Sequence, residues 1–319
     1  MPGPAVAHRL VDMRSIEIDG LRVSRIGLGT WQFGSREWGY GEDYARETAP
    51  ALIRRALELG ITMIDTAEAY GPGNSERIIG ETLAELPAGG RNGLTVATKF
   101  MPLAPAERVV TWQAAGSRRR LRQEALDLYY AHWPNPLVSA RRVMQSLRPL
   151  MGEGLVRRVG VSNYSLAQWR EAERALRAPV VANQVLFSLA DPAPLRDLVP
   201  YAAGHDRVVV AYSPLAQGLL AVDRDWSTVR DFRRVMRPAR RTAGLAPLAA
   251  AVGEVAAVHG ATHAQVALAW VLAHPNTVAI PGARTLEQLE SNAAAADMVL
   301  ADDEVARLTA EAEAFAATR

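Results

Sequence analysis

The feature of this sequence that most constrains its fold is a repeated alternation of short apolar runs with longer amphipathic segments. The apolar runs have strand length and are Arg25–Gly29, Thr62–Asp65, Leu94–Lys99, Leu126–His132, Val156–Val161, Val180–Gln184, Val208–Tyr212 and Val278–Ile280. Segments between them place apolar residues at helical spacing, as in Ala49–Leu59, Asn74–Leu86, Leu166–Leu176 and Ala264–Ala273. Strands that alternate with helices pair in parallel through right-handed crossovers. Eight such units in 319 residues favour a closed (β/α)8 TIM barrel over an open doubly wound sheet.

The two ends of the chain and one long insertion depart from this alternation. Ser15–Ser24 alternates apolar residues around an Asp-Gly turn, which predicts an N-terminal β-hairpin. Leu286–Ala296 and Asp302–Ala314 predict C-terminal closing helices. Leu219–Pro247 is arginine-rich and weakly periodic, so it predicts a loop over the barrel mouth. Because no composition shift marks a boundary, we expect a single domain over residues 1–319.

Lys99 is the only lysine among the 36 basic side chains of the chain. A general bias toward arginine explains the other basic residues. A position that has kept lysine against that bias is a candidate for a task that needs a compact ammonium with a movable pKa.

Bulk composition excludes several classes of function. No stretch approaches the roughly 20 apolar residues of a membrane span, and the N-terminus has no signal-peptide core. The chain has no cysteine, hence no disulfide and no thiolate metal site, and its net charge of +2 does not indicate a nucleic-acid partner. We therefore expect a soluble, cytoplasmic enzyme or binding domain that acts on a small molecule, without a metal, a membrane or nucleic acid. Its oligomeric state stays open.

Four polar side chains follow neighbouring strands, at the end of a barrel where active sites form. Asp65 and Tyr70 follow the second strand, Lys99 ends the third, and His132 ends the fourth. A tyrosine has a pKa of about 10, which an adjacent ammonium lowers, while a carboxylate holds that ammonium charged and in place. A histidine beside the phenol orients a carbonyl oxygen. The set predicts a proton donor for the oxyanion that forms when hydride attacks a carbonyl carbon.

Each of these residues also has a structural interpretation when it is taken alone. Asp65 is placed to cap the next helix, Lys99 to end a strand in solvent, and Tyr70 to pack a loop. A histidine before Trp133-Pro134 is more often structural than catalytic. Their occurrence together at adjacent strand ends favours the chemical interpretation.

Motifs in chain order extend this pattern over nearly the whole sequence. They are Gly27-Leu-Gly-Thr-Trp31, Asp65-Thr-Ala-Glu-Ala-Tyr70-Gly71, Asn74-Ser-Glu76, Thr98-Lys99, His132-Trp-Pro134, Gly160-Val-Ser-Asn163, Asn183-Gln184, Tyr212-Ser-Pro-Leu215 and Ile280-Pro-Gly282 through Asn292. From Arg25 to about Met298 the sequence resembles the aldo-keto reductase superfamily. The resemblance implies Tyr70 as general acid, Lys99 and Asp65 as the pair that tunes it, and His132 as the carbonyl-orienting residue. It also implies a nicotinamide cofactor, NADPH, bound without a Gly-x-Gly-x-x-Gly loop, and no such loop follows a strand here.

The resemblance further implies where the cofactor and the substrate lie. For the nicotinamide it indicates Ser162, Asn163 and Gln184 at the carboxamide, Tyr212 stacked on the ring, and Gly29, Thr30, Trp31 and Asp65 beside the reacting centre. Along the pyrophosphate it indicates Ser213, Leu215, Gln217 and Gly218. At the adenosine end it indicates Gly282, Arg284, Gln288 and Asn292. For the substrate it indicates Trp31, Tyr70, His132 and Trp133, with Phe33 and Phe100 as further candidates for an aromatic wall. Arg284 suits a 2′-phosphate because its planar fork matches phosphate geometry. Ala283 and Ser291 depart from the hydroxyl residue and the glutamate that many relatives have there, which weakens the expected preference for NADPH over NADH.

Two other functions compete with a carbonyl reductase. One is a cofactor-binding regulatory subunit, since the β subunits of potassium channels resemble this barrel as well. The other is a Schiff-base aldolase, because Lys99 is a lone lysine at a barrel strand end. Asp65 argues against the aldolase, since it is expected to keep Lys99 protonated. The sequence leaves the substrate and the stereochemistry at the alcohol carbon open.

Overall fold

A computed structural model describes residues 15–33, 44–87, 89–104, 106–219 and 244–318 of the chain. The strands in these ranges are β1 (Ser15–Ile18), β2 (Leu21–Ser24), β3 (Leu28–Gly29), β4 (Met63–Asp65), β5 (Thr95–Phe100), β6 (Leu126–Ala131), β7 (Val156–Ser162), β8 (Val180–Leu186), β9 (Val208–Tyr212) and β10 (Thr277–Ala279). The α-helices are α1 (Ala49–Glu58), α2 (Asn74–Ala84), α3 (Glu107–Leu121), α4 (Ala140–Gly152), α5 (Leu166–Leu176), α6 (Leu198–Gly204), α7 (Leu245–His259), α8 (His263–Ala273), α9 (Leu286–Ala294) and α10 (Asp302–Ala317).

Strands β3 to β10 form one parallel sheet in which each strand pairs with its neighbours in chain order. Isolated parallel bridges join Ile26 to Ala279 and Gly29 to Gly282. The backbone N–H of Gly27 also donates to the carbonyl of Ala279 at 2.8 Å. The sheet therefore curls until its edge strands meet, which is consistent with the predicted (β/α)8 barrel, and the predicted parallel pairing is confirmed.

Gly29 permits the close approach of the first and last strands. A Cβ atom on Gly29 would lie 2.7 Å from the carbonyl oxygen of Ile280, closer than real Cβ atoms come. The sequence assigns Gly29 to the cofactor site, and the structure gives this glycine a packing role at the seam of the sheet.

The N-terminal hairpin covers one end of the sheet interior. Strands β1 and β2 pair around Asp19 and Gly20, both of which have positive φ, as a two-residue hairpin turn requires. Ile18 and Val23 of the hairpin belong to the same buried cluster as interior side chains such as Met63. The predicted hairpin is confirmed, and its apolar face completes the interior core.

The structure corrects one boundary of the arginine-rich insertion. Residues 220–243, including the cluster Arg233–Arg241, lie outside the described residues. The prediction of a loop as far as Pro247 is wrong, since helix α7 begins at Leu245. Pro247 sits in the first turn of that helix, where a proline costs no hydrogen bond. Leu245, Leu248 and Val252 are buried, so packing of an apolar face determines the helix.

Within the described ranges, no single helix is long and apolar enough to cross a bilayer. Helices α7 and α8 reach that length and composition only as a pair bent by 95°.

Candidate active site

Asp65, Lys99 and His132 are brought together by the ends of β4, β5 and β6. Asp65 pairs with Ala97 and Lys99 pairs with Tyr130 in the register of the sheet. The backbone N–H of His132 continues the ladder by donating to the carbonyl of Phe100 at 3.0 Å. Tyr70 lies in the loop that connects β4 to α2, with its N–H bonded to the carbonyl of Ala67 at 3.1 Å.

The Lys99 ammonium is the centre of the cluster and has no exposed surface. Its Nζ donates to Asp65 Oδ1 at 2.6 Å, to the Thr66 carbonyl at 2.8 Å and to the Tyr70 hydroxyl at 3.2 Å. An ammonium has three N–H donors, so these contacts satisfy it completely. The other carboxylate oxygen of Asp65 accepts a hydrogen bond from Gln184 Nε2 at 2.7 Å. The ion pair is therefore buried, fully bonded and fixed in orientation.

Burial shifts the pKa of Lys99 and of Tyr70 in opposite directions. For Lys99 burial alone lowers the pKa, but the Asp65 carboxylate and Tyr70 raise it above its usual value, so the amine stays charged. For Tyr70 burial raises the pKa, and the Lys99 ammonium opposes that rise without cancelling it. Lys99 thus lowers the pKa of Tyr70, as the sequence predicts, but the predicted net lowering is wrong because burial raises that pKa by more. The phenol is protonated at neutral pH and remains available as a donor.

His132 lies beside the Tyr70 ring as a neutral imidazole. The Tyr70 and His132 rings meet edge to face with their centroids 5.9 Å apart, and the Trp133 and His132 rings are stacked with their centroids 6.1 Å apart. Burial, aided by the Lys99 charge, lowers the pKa of His132 to about 3. Its Nδ1 is buried and has no hydrogen-bond partner among the described residues.

The lowered histidine pKa values predict a loss of stability in mild acid. Burial also lowers the pKa of His274 to about 4. Since an unfolded histidine has a pKa of about 6.5, the unfolded chain binds protons that the folded protein does not. The stabilisation from the neutral histidines is complete above about pH 6.5. It is lost as the pH falls toward their folded-state pKa values, about 4 for His274 and about 3 for His132. Urea denaturation between pH 7.5 and 4.5 measures it. His274→Asn should reduce the pH dependence, and an unchanged dependence in that variant would contradict the assignment.

The residues expected at the nicotinamide form a connected group beside the cluster. Tyr212 donates its hydroxyl hydrogen to Asn163 Oδ1 at 3.0 Å, and Asn163 Nδ2 donates to Ser162 Oγ at 3.0 Å. Asn163 has a left-handed backbone (φ 62°), which directs the chain at the end of β7. Gln184 joins this group to the cluster through Asp65.

The segment after β9 contains several residues with a left-handed backbone. Ser213 and Ala216 have φ values of 50° and 48°, and Gly218 has 89°. Leu215 and Leu219 between and after them have negative φ. The N–H groups of Ala216, Gly218 and Leu219 donate to the carbonyls of Ser213, Leu215 and Ala216, so the segment is a tight turn closed by its own hydrogen bonds.

The loop expected at the adenosine end is organised by its own side chains. Gln288 Oε1 accepts from the N–H of Arg284 at 2.9 Å, and Asn292 Nδ2 donates to the Gly282 carbonyl at 3.4 Å. Thr285 caps α9 through the N–H of Gln288. The Arg284 residue is exposed. Gln288 and Asn292 therefore shape the loop that presents Arg284.

The aromatic residues expected to form a substrate wall separate into two groups. Trp31 and Trp133 are 45% and 47% exposed. Phe33 and Phe100 are buried, and Phe100 packs on Tyr129 with ring centroids 5.0 Å apart. The expectation for these two phenylalanines is wrong, because both belong to the buried cluster that joins the sheet to the helices.

The sequence does not predict two of the hydrogen-bond partners in this cluster. The bond between Gln184 and Asp65 joins residues 119 positions apart, and the Thr66 carbonyl, as a main-chain group, has no sequence signature. Among the described residues no group of three or more histidine or acidic side chains is placed to hold a metal.

The sequence model of the Aldo/keto reductase family matches residues 25–313 of the chain. The chain belongs to this family. An oxidoreductase of Mycobacterium tuberculosis is 48% identical to this aldo/keto reductase over 307 residues, covering 95% of this chain and 94% of the relative. Methylglyoxal reductase of Escherichia coli is 33% identical, covering 93% and 94%. A crystal structure of an aldo/keto reductase from Klebsiella pneumoniae in complex with NADP and acetate is 30% identical, with a TM-score of 0.73, and covers 92% and 93%.

Proposed function

We propose that this aldo/keto reductase uses NADPH to reduce an aldehyde or ketone to the alcohol, with Tyr70 as the general acid. The observation that carries the proposal is the buried Lys99 ammonium, which contacts Asp65, Thr66 and the Tyr70 hydroxyl at once. A lysine held charged beneath a phenol stabilises the phenolate that remains after proton transfer.

The reduced nicotinamide supplies the hydride when it is bound. Tyr70 gives its hydroxyl proton to the carbonyl oxygen as negative charge develops there. Lys99 stabilises the resulting phenolate, and Asp65 with Gln184 holds Lys99 in place. His132 is neutral, so one ring nitrogen carries a hydrogen that orients the carbonyl oxygen without adding a charge.

The residues fit a nicotinamide dinucleotide on structural grounds. Ser162, Asn163 and Gln184 offer amide and hydroxyl groups for the carboxamide, and Tyr212 offers an aromatic face. We also propose that the pyrophosphate lies along the turn of residues 213–218, where Gly218 has no side chain to keep a ligand away from the backbone. Thr30 contributes to this cofactor site only indirectly, because its buried hydroxyl bonds the Asp65 carbonyl at 2.8 Å.

Arg284 should determine the preference between NADPH and NADH. Ala283 is buried and offers no hydroxyl, so Arg284 is left as the charged group for a 2′-phosphate. A charge-assisted hydrogen bond contributes roughly 1.5–3 kcal/mol, or about ten- to a hundredfold in affinity. We expect NADPH to bind at least about tenfold more tightly than NADH, and Arg284→Ala to remove most of that difference.

Dissociation constants for both cofactors, from tryptophan fluorescence at low and high salt, measure this preference. Because the interaction is ionic, the preference should shrink as salt rises. Arg174→Ala, on the outer helix α5, is the matched control. Equal affinities for the two cofactors in the unaltered protein at low salt would place the 2′-phosphate elsewhere.

For the substrate we propose a small carbonyl compound bound against Trp31 and Trp133. Two points support this: the exposed indoles at the strand ends and the similarity to the methylglyoxal reductase. We also propose a single domain, supported by a buried cluster that runs from Ile26 to Phe315.

Oxidation of NADPH by a panel of aldehydes and ketones, methylglyoxal among them, tests the activity. Failure of every carbonyl compound to be reduced while NADPH binds would favour a regulatory, cofactor-binding role.

A further inference from the structure

Three buried hydroxyl groups connect the segments that carry the candidate active site. Thr66 Oγ1 donates to Ser75 Oγ at 2.9 Å, and Ser75 Oγ lies 2.8 Å from Thr30 Oγ1. Ser75 Oγ is also 3.1 Å from the Thr30 carbonyl, and Thr30 Oγ1 donates to the Asp65 carbonyl at 2.8 Å. The three side chains have at most traces of exposed surface.

The number of hydroxyl hydrogens limits the directions of these hydrogen bonds. Each hydroxyl has one hydrogen and two acceptor sites. Thr66 donates to Ser75 and Thr30 donates to the Asp65 carbonyl, so the single hydrogen of Ser75 points to Thr30, whose hydroxyl lies at 2.8 Å and whose carbonyl oxygen lies at 3.1 Å. The result is a chain of hydrogen bonds from Thr66 through Ser75 to Thr30, which in turn bonds the main chain of Asp65. Such chains polarise one another and hold their members more rigidly than separate bonds do.

Ser75 occupies the junction of this chain. Its hydroxyl contacts Thr30 after β3 and Thr66 after β4, and its backbone N–H bonds the Tyr70 carbonyl at 3.3 Å. Thr66 in turn supplies the carbonyl that accepts from Lys99 Nζ. Ser75, at the start of α2, therefore contacts Thr66, the residue that completes the hydrogen bonding of Lys99, through its hydroxyl, and the main chain of Tyr70 through its backbone N–H.

We propose that Ser75 is a positioning residue, whose hydroxyl fixes the Thr66 carbonyl and thereby holds the Lys99 ammonium against Tyr70. This inference rests on the proposed function. Without the Ser75 hydroxyl the Thr66 donor loses its partner in a buried space, and relaxation of that segment moves the carbonyl away from Lys99. An ammonium displaced from the phenol stabilises the phenolate less, so Tyr70 becomes a weaker acid.

Ser75→Ala tests this role through the pH profile of turnover. We expect kcat to fall by about tenfold, within the range that a small misplacement of reacting groups causes. The alkaline limb, where Tyr70 loses its proton, should move to higher pH, while the dissociation constant for NADPH stays unchanged. Ser146→Ala is the matched control: Ser146 is also buried, but its hydroxyl bonds the Val143 carbonyl of its own helix at 2.7 Å.

A second variant approaches the same bond from the other side. Thr66→Val keeps the shape of the side chain and removes the donor, so it should shift the alkaline limb in the same direction even where Ser75→Ala folds poorly. A profile in both variants that matches that of Ser146→Ala overturns the inference. Tyr70→Phe is measured in parallel: its full activity would overturn the proposed function and this inference together, whereas its loss of activity beside a normal Ser75→Ala profile overturns this inference alone.

Discussion

Tyr70→Phe is expected to lower turnover by a factor of about 10² to 10⁴, the range that general acid catalysis contributes, while NADPH binds with unchanged affinity. Phenylalanine keeps the ring that meets His132 edge to face and lies 4.9 Å from Lys99 Nζ. The substitution removes only the hydroxyl that contacts the ammonium at 3.2 Å. Packing is therefore preserved, and the lost activity reports the missing proton.

Initial rates with the best carbonyl substrate, together with fluorescence titration by NADPH, measure this result. Tyr164→Phe is the matched control, since the Tyr164 hydroxyl is buried without a partner among the described residues and has no role in the proposed mechanism. Near-normal turnover in Tyr70→Phe would remove Tyr70 from the mechanism and leave His132 as the proton donor to be tested.

The elements that the sequence predicts well are those whose signals are local. Helix α5 is predicted and observed over the same residues, Leu166–Leu176. Ser165 caps its first turn with Gln168 in a reciprocal capping box, and Arg177 ends it in a left-handed conformation. Where such signals are absent, the predicted and observed ends of an element differ. Helix α10 continues to Ala317, three residues beyond its predicted end, because Phe315 is buried in the core.

The site was predictable to the extent that strand ends determine it. Parallel strands in chain order place Asp65, Lys99 and His132 at one edge, which alternation alone implies. The partners that hold them depend on the curvature of the sheet. Gln184 reaches Asp65 across the interior from β8, and no spacing in the sequence encodes that contact. The net pKa of Tyr70 also depends on burial, which only the packed structure supplies.

Lys99→Arg is expected to abolish most of the activity although it preserves the charge. Lys99 is fully enclosed, and its three contacts converge on a single nitrogen atom. A guanidinium is larger, planar and spreads its donors over a fork, so it cannot meet Asp65, Thr66 and Tyr70 from the same position. Lys99→Met should fold less stably, by about 3–5 kcal/mol, because it leaves the Asp65 carboxylate buried without its partner.

Comparing these two variants separates catalysis from folding. Lys99→Arg keeps a cation opposite Asp65, so its free energy of unfolding in urea should exceed that of Lys99→Met while its turnover stays near zero. The same residue distinguishes reduction from aldolase chemistry, since imine formation needs a neutral amine and Asp65 with Tyr70 raises the pKa of Lys99. Borohydride treatment of the unaltered protein with a carbonyl substrate should therefore give no adduct at Lys99 by mass spectrometry. A stable adduct there would show that the amine loses its proton inside the cluster. Lys99 would then be the nucleophile of an aldolase, and the ion pair with Asp65 would be its resting state.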